Sequence, residues 1–377
     1  MQIPGSNLSN NIKILKKLKE KSGSHSPSPK EIQAELGFDP IKFDYCFLSN
    51  PYATEMVIRE FNKYLTEQTV FQLFESYPAD QTFVGKNLSK LENLNSDYMV
   101  CGNGAVECIN WICDGWELNN LLIPLPTFST YYEVLSDRYT FVDNLYQPNL
   151  NVNELLSEAE KNKCDSILII NPNNPTGSHL RIDQLEELIQ SAKGKKIIID
   201  ESFSHFLDDY SSYVNFRERC DSKNVVFIKS LSKDFGIAGL RLGYMYTQDN
   251  KLLEYVKKYT TWNLNNFAVW FSTLFEDKDF LEEYENIRKR YVDERNAFYS
   301  ELKEVSEIEV WPSQANFFLI KFKKQINGSF CQEFLLKTGI YIRSMEDKIG
   351  LSNQYVRVAS RKHEQNTFFL NELKKIL

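Results

Sequence analysis

The chain has 377 residues, 42% of them hydrophobic, with 44 basic and 51 acidic side chains and a net charge of −7. That balance excludes the basic face that non-specific nucleic-acid binding needs, and no run approaches the ~18–20 apolar residues of a membrane-spanning helix. The length is ample for a buried core and fits about two domains.

The N-terminal stretch MQIPGSNLSNN is polar and lacks the apolar core of a signal peptide, so the cytoplasm is the expected compartment. Seven cysteines form an odd set without a Cys-x-x-Cys pair, which argues against a disulfide framework or a thiolate zinc site. The four histidines are not spaced as metal ligands.

In chain order, Ile12–Lys21 predicts a basic helix, Ser22–Lys30 a Ser/Pro-rich turn, Pro29–Leu36 a short helix and Phe43–Ser49 an extended run. Strands are expected at Tyr98–Cys101, Asn120–Ile123, Ser166–Ile170, Lys196–Asp200 and Val225–Lys229, with helices such as Ala105–Asp114 and Gln184–Ala192 between them. Beyond residue 250, Lys251–Tyr259 and Phe280–Val305 read as helices, followed by a second alternating block over Glu307–Leu377. Such alternation predicts an α/β fold: a three-layer domain around a mostly parallel sheet, with a smaller α+β domain beside it. The expected division is an N-terminal arm plus part of the small domain over 1–50, a large domain over 51–265 and the small domain over 266–377.

Ligands of parallel sheets gather at the carboxyl ends of the strands, and the polar motifs of this chain fall there. Gly102-Asn103-Gly104-Ala105-Val106 opens a helix and offers backbone N–H groups to a phosphate. Pro126-Thr127-Phe128 places an aromatic ring after a strand, where it can stack on a flat ligand. Asn171-Pro172-Asn173-Asn174-Pro175 is a rigid turn that holds the Asn174 amide toward the phenolic oxygen of a pyridoxal ring. Asp200, at the end of a buried strand, needs a partner, and a pyridinium nitrogen satisfies it. Ser230-Leu231-Ser232-Lys233, with Arg241 eight residues on, suits a phosphate-bearing aldehyde: Lys233 forms a Schiff base while Ser230 and Arg241 bind the phosphate.

These motifs, in this order, resemble the fold-type-I pyridoxal-phosphate enzymes of the class I/II aminotransferase superfamily, across nearly the whole chain. The resemblance implies an aspartate-aminotransferase-like fold with Lys233 as the Schiff-base lysine and Asp200 as the pyridine-nitrogen partner. Asn174 and Phe128 would contact the ring, with Phe203 beside it. Gly104, Ala105, Val106, Ser230, Ser232 and Arg241 would line the phosphate. Tyr77, in Ser76-Tyr77-Pro78, resembles a tyrosine that reaches the phosphate across a homodimer interface.

The C-terminal stretch Ile342-Arg343-Ser344 to Tyr355-Val356-Arg357-Val358-Ala359, and Trp262 through Ala268, resemble the histidinol-phosphate aminotransferase and threonine-phosphate decarboxylase branch. This implies a small phosphorylated substrate. Arg357 would grip its α-carboxylate, Arg343 and His25 its phosphate, and Asn50 lies in the same region. Three departures stand out. Phe203 occupies the place of an aminotransferase tyrosine, His25-Ser26-Pro27 replaces the decarboxylase's His-Gly-Gly, and Leu48 stands where the decarboxylase has an asparagine. Transamination is the expected reaction, with an amino donor such as glutamate. Decarboxylation of a serine- or threonine-phosphate-type amino acid is the alternative, and a non-catalytic binding module a remote one. No metal, nucleic acid or membrane partner is expected.

Overall fold

Ser-Ile-Leu-Ile-Ile at 166–170 and Lys-Ile-Ile-Ile-Asp at 196–200 lack polar alternation, so both faces of these strands must be covered. The computed structural model, which describes residues 5–143, 150–192 and 194–377, covers them with helices on either side. The reading of the extreme N-terminus rests partly on residues 1–4, outside the described residues.

Among the described residues, seven strands form the large sheet, in the order Met99–Gly102, Gly243–Thr247, Val225–Ser230, Lys196–Asp200, Ser166–Ile170, Leu121–Pro124, Tyr139–Val142. All pairings are parallel except those of Gly243–Thr247, which runs antiparallel to both neighbours. The alternation of a strand divides the core. Ile167, Ile169, Ile197, Ile199 and Phe227 pack on one face with Leu185 and Leu188 of helix Ile182–Ser191. Leu168, Ile170, Ile198, Val226 and Ile228 pack on the other with Ile109 and Ile112 of helix Ala105–Gly115.

A smaller antiparallel sheet runs in the order Arg343–Ser344, Tyr355–Ala359, Phe317–Phe322, Ile308–Val310. It buries Phe318, Ile320 and Val356 against Phe298 of helix Lys278–Lys303 and Phe369 of helix His363–Ile376. Phe280 and Tyr284, at the start of that long helix, pack instead into the core of the large sheet. Helix Gly5–Lys21 lays Leu15 and Leu18 on Leu335 and Leu336 of helix Phe330–Thr338.

Register positions the site. Asp200 lies level with Ile170 and Ile228, and Ser230 with Gly243, which in turn pairs with Gly102. The loops leaving these strands therefore open on one edge. Gly243 is required there: a Cβ would sit 2.6 Å from the Lys229 carbonyl oxygen and 2.8 Å from the Ala105 nitrogen.

Candidate active site

A cleft of about 380 Å³ opens at that edge, between the large and small sheets. Its walls carry Lys233, Asp200, Asn174, Phe128, Phe203, Ala105, Val106, Ser230 and Arg241 from the large sheet, with Arg343 and Arg357 from the small one. His25 joins them from the N-terminal turn, its ring 6.4 Å from that of Phe128. Most of the predicted residues are thus gathered at one place although 332 positions separate His25 from Arg357 in sequence.

At one end the side chains suit a phosphate. Helix Ala105–Gly115 begins without a side-chain cap, leaving its first N–H groups for an anion. The buried Ser232 hydroxyl has no partner among the described residues, and such a group costs stability unless something binds it. Arg241 closes this end: a Cβ on Gly104 would stand 2.6 Å from its guanidinium. At the other end Asp200 accepts from the Tyr131 hydroxyl at 2.9 Å and from the Ser202 N–H at 3.0 Å. Burial raises its pKa, opposed by these hydrogen bonds, so a cationic partner would be welcome. Between the two ends lies Lys233. Burial, then Arg357 and Arg241, pull its ammonium down to about 8, against Asp234 and Asp200. A lysine so tuned can lose its proton and act as a nucleophile. The set fits pyridoxal phosphate: Lys233 could bind its aldehyde, Asp200 its ring nitrogen and the Gly104–Arg241 end its phosphate.

Arg357 donates to Asn174 Oδ1 at 2.8 Å and to the Cys46 carbonyl at 2.9 Å, while its buried Nε lacks a partner among the described residues. Arg343 donates to Asp347 at 2.6 Å and to the Ser24 carbonyl at 2.9 Å.

Four predicted residues do not line the cleft: Gly104 and Ser232, which precede the lining residues Ala105 and Lys233 in sequence, and Asn50 and Tyr77. Asn50 is a helix cap, accepting from the Tyr52 and Ala53 N–H groups, and its own N–H donates to the Lys233 carbonyl at 3.0 Å. Tyr77 is 77% exposed and packs on Trp262 with ring centroids 4.8 Å apart.

Sequence reasoning missed Lys348, which lines the cleft with only 8% of its surface exposed. It also missed Tyr131, the partner of Asp200. A cation five positions after Arg343 was the available signal for Lys348; a buried tyrosine carries none. A charged cluster behind the cleft was missed as well. Arg217, fully buried, bonds Glu201 at 2.6 Å and Glu92 at 2.8 Å, and Lys229 lies 3.2 Å from Asp234. Glu201 and Asp234 directly follow Asp200 and Lys233, so this cluster fixes the backbone that presents both.

The model of the family "Aminotransferase class I and II" matches residues 44–370. The chain is 34% identical over 375 residues to the L-serine phosphate decarboxylase of Campylobacter jejuni, covering 95% of each. A solved decarboxylase from Sulfurospirillum multivorans superposes with a TM-score of 0.88 at 34% identity, covering 99% of this chain and 97% of that one. A histidinol-phosphate aminotransferase from Clostridium acetobutylicum follows at 0.76 and 28%, covering 89% and 98%. These likenesses bear out the fold-type-I architecture and the phosphorylated-substrate branch.

They correct the expected reaction. Transamination is expected as the commoner chemistry of the fold and from the altered His25-Ser26-Pro27 segment, yet the relatives at 34% identity are named decarboxylases; the cofactor-holding motifs do not separate the two. The physical reason is simple: those motifs serve both reactions, and the orientation of the substrate's α-carbon selects the bond that breaks. By its family match over most of its length, this chain belongs to the pyridoxal-phosphate-dependent class I and II aminotransferase family.

Proposed function

We propose that this protein decarboxylates a small phosphorylated amino acid, with L-serine phosphate as its foremost substrate. The observation that carries this is the convergence of Arg343, Lys348 and Arg357 in the cleft that holds Lys233. Such an array matches a substrate bearing both a carboxylate and a phosphate ester. The names of the relatives at 34% identity support the same reading.

When bound, pyridoxal phosphate supplies an electron sink for the pair released as the bond from the α-carbon to the carboxylate breaks. The protein does the rest. Arg357 takes the substrate carboxylate, and its contacts with Asn174 and Cys46 fix the guanidinium plane. Asp200, locked by Tyr131 and Ser202, holds a proton on the ring nitrogen. Phe203, 3% exposed and edge-on to Phe317 with ring centroids 5.1 Å apart, offers an apolar wall where a hydroxyl would otherwise donate. Lys233 Nζ, with its ammonium near 8, delivers the proton that replaces the departing carboxylate at the α-carbon. The balance is one substrate and one proton giving one carbon dioxide and one phosphoethanolamine, with no amino donor consumed.

We further propose that the active form is a homodimer, Tyr77 of one protomer reaching the cofactor phosphate of the other, and that the enzyme works in the cytoplasm. The decisive assay supplies L-serine phosphate without any keto acid. Equal yields of carbon dioxide and phosphoethanolamine are expected. Amino transfer that depends on an added keto acid, with no gas released, would overturn the proposal.

A further inference from the structure

Arg343 and Arg357 stand directly opposite each other on antiparallel strands, where like charges repel. Asp347 answers Arg343 at 2.6 Å, but it is shared with Lys19 at 2.9 Å. Burial would raise the Asp347 carboxyl; Arg343 and Lys19 outweigh it and hold the carboxyl below its usual range. Its charge is therefore already spoken for.

Lys348 adds a third cleft cation and, among the described residues, has no such answer. Its ammonium rests on the Ser129 hydroxyl and on the Ser24 carbonyl, each at 3.0 Å, and both are neutral. Burial first, with Arg343 and Arg357 adding repulsion, pulls it down to about 8, against Asp347 and Glu133. A buried ammonium among neutral partners is costly, and here it sits beside two guanidiniums.

The same carbonyl closes the argument. Ser24 O accepts from Arg343 Nη2 at 2.9 Å as well as from Lys348. Two cations on one neutral oxygen form a pair of donors that a doubly charged group would satisfy far better. A phosphate monoester carries about −1.5 to −2 charge and three strong acceptor oxygens. Taking the place of the Ser24 carbonyl, it could accept from Lys348, Arg343 and the Ser129 hydroxyl together. Ser129 directly follows Phe128, a cleft wall, so this corner adjoins the reacting centre.

We propose that Lys348, with Arg343 and Ser129, forms the phosphate-ester subsite of the substrate, and that Lys348 is the residue that separates a phosphorylated amino acid from its unphosphorylated counterpart. The identity of the substrate rests on the decarboxylation proposed above; the subsite itself rests on this geometry. Arg357 is left to the carboxylate.

Phosphoethanolamine tests the division, because it keeps the phosphate ester and lacks the carboxylate. Its affinity for the cofactor-loaded protein is measured by calorimetry in wild type, Lys348→Met, Lys348→Gln and Lys348→Arg. Lys348→Gln can still bond the Ser129 hydroxyl, and retention of the cofactor's visible absorbance and of the melting temperature reports an intact fold. Loss of one charge-assisted hydrogen bond corresponds to about a 10- to 150-fold weaker affinity. That loss is expected for Lys348→Met and Lys348→Gln, with Lys348→Arg recovering most of it and Arg357→Lys close to wild type. KM for L-serine phosphate rises in parallel in Lys348→Met. Unchanged phosphoethanolamine affinity in Lys348→Met would overturn the subsite even if wild type decarboxylates. Failure of wild type to release carbon dioxide, with a Lys348-dependent affinity intact, would overturn the reaction and leave the subsite standing.

Discussion

Replacing Gly104 by Ala strikes the cofactor's phosphate end in two separable ways. Gly104 has φ 79° and ψ 173°, a region essentially confined to glycine, and another residue there costs about 1–3 kcal/mol. The added Cβ also lies 2.6 Å from Arg241 Nη2 and 3.2 Å from its Cζ. The guanidinium is the far end of a flexible side chain, so it moves away rather than the backbone, and its bonds to the Asn103 and Ala238 carbonyls, each 3.2 Å, are disturbed. Backbone strain is present with or without cofactor and therefore falls on folding. Displacement of Arg241 falls on cofactor binding, where loss of a charge-assisted hydrogen bond is worth about 1.5–3 kcal/mol, or roughly 10- to 150-fold in affinity. Urea unfolding of the cofactor-free protein reads the first term, and titration with pyridoxal phosphate followed by visible absorbance reads the second. A Gly104→Ala protein that unfolds like wild type and binds cofactor as tightly would refute both the strain argument and the assignment of Arg241.

Other perturbations address other parts of the site. Lys233→Ala should abolish the covalent cofactor absorbance and turnover together; turnover without it would contradict the role assigned to this lysine. In cofactor-free protein, Lys233 has its pKa lowered to about 8 by burial and by Arg357 and Arg241, from an ordinary ~10.4. Its charge thus opposes folding: relative to Lys233→Met, the penalty is full below about pH 8 and fades as pH rises toward ~10.4. Denaturant melts at pH 7 and pH 10 should show that gap closing, and a constant gap would exclude it. Arg217→Met leaves Glu92 with Lys229 3.9 Å away and leaves Glu201, among the described residues, with the Tyr213 and Tyr244 hydroxyls but no cation, which should cost about 3–5 kcal/mol of stability. Adding Glu201→Gln should recover part of that loss; additive losses would mean the two residues are not coupled.

Much of the fold could be read from the amino acids because its strands are blunt signals. Ile167–Ile170 and Ile197–Ile199 are unbroken apolar runs flanked by polar residues, and the strands Ser166–Ile170 and Lys196–Asp200 begin and end there. Where capping chemistry intervenes, the boundaries shift. The extended run expected over Phe43–Ser49 forms a strand at Phe43–Asp44, with backbone bonds continuing through Tyr45, and ends there because the Asp44 carboxylate accepts from the Cys46 and Phe47 N–H groups and turns the chain. The helix expected from Ile12 begins at Gly5, since Leu8 extends the stripe of Ile12 and Leu15 by one more turn. Gly243–Thr247 is not among the expected strands, and its place between Val225–Ser230 and Met99–Gly102 depends in part on pairing across 140 residues.

The site divides along the same line. Lys233, Asp200, Asn174 and Arg241 stand at strand ends in recognisable local settings, and the cleft gathers all four. Lys348 sits in a loop with no such setting; its meaning comes from Ser24 and Ser129, 324 and 219 residues away. The reaction type was hidden for a related reason. On the function proposed above it depends on how three cations orient a substrate, and no single motif encodes a torsion.

The fate of the hydrogen on the substrate's α-carbon tests the central claim most directly. L-Serine phosphate deuterated at that carbon is turned over in ordinary water, and the phosphoethanolamine formed is examined by NMR and mass spectrometry. Decarboxylation leaves the original bond untouched and predicts full retention of deuterium, with one proton from solvent beside it. Washout of the label before or during turnover would show that the C–H bond is the one being broken, and would contradict the account.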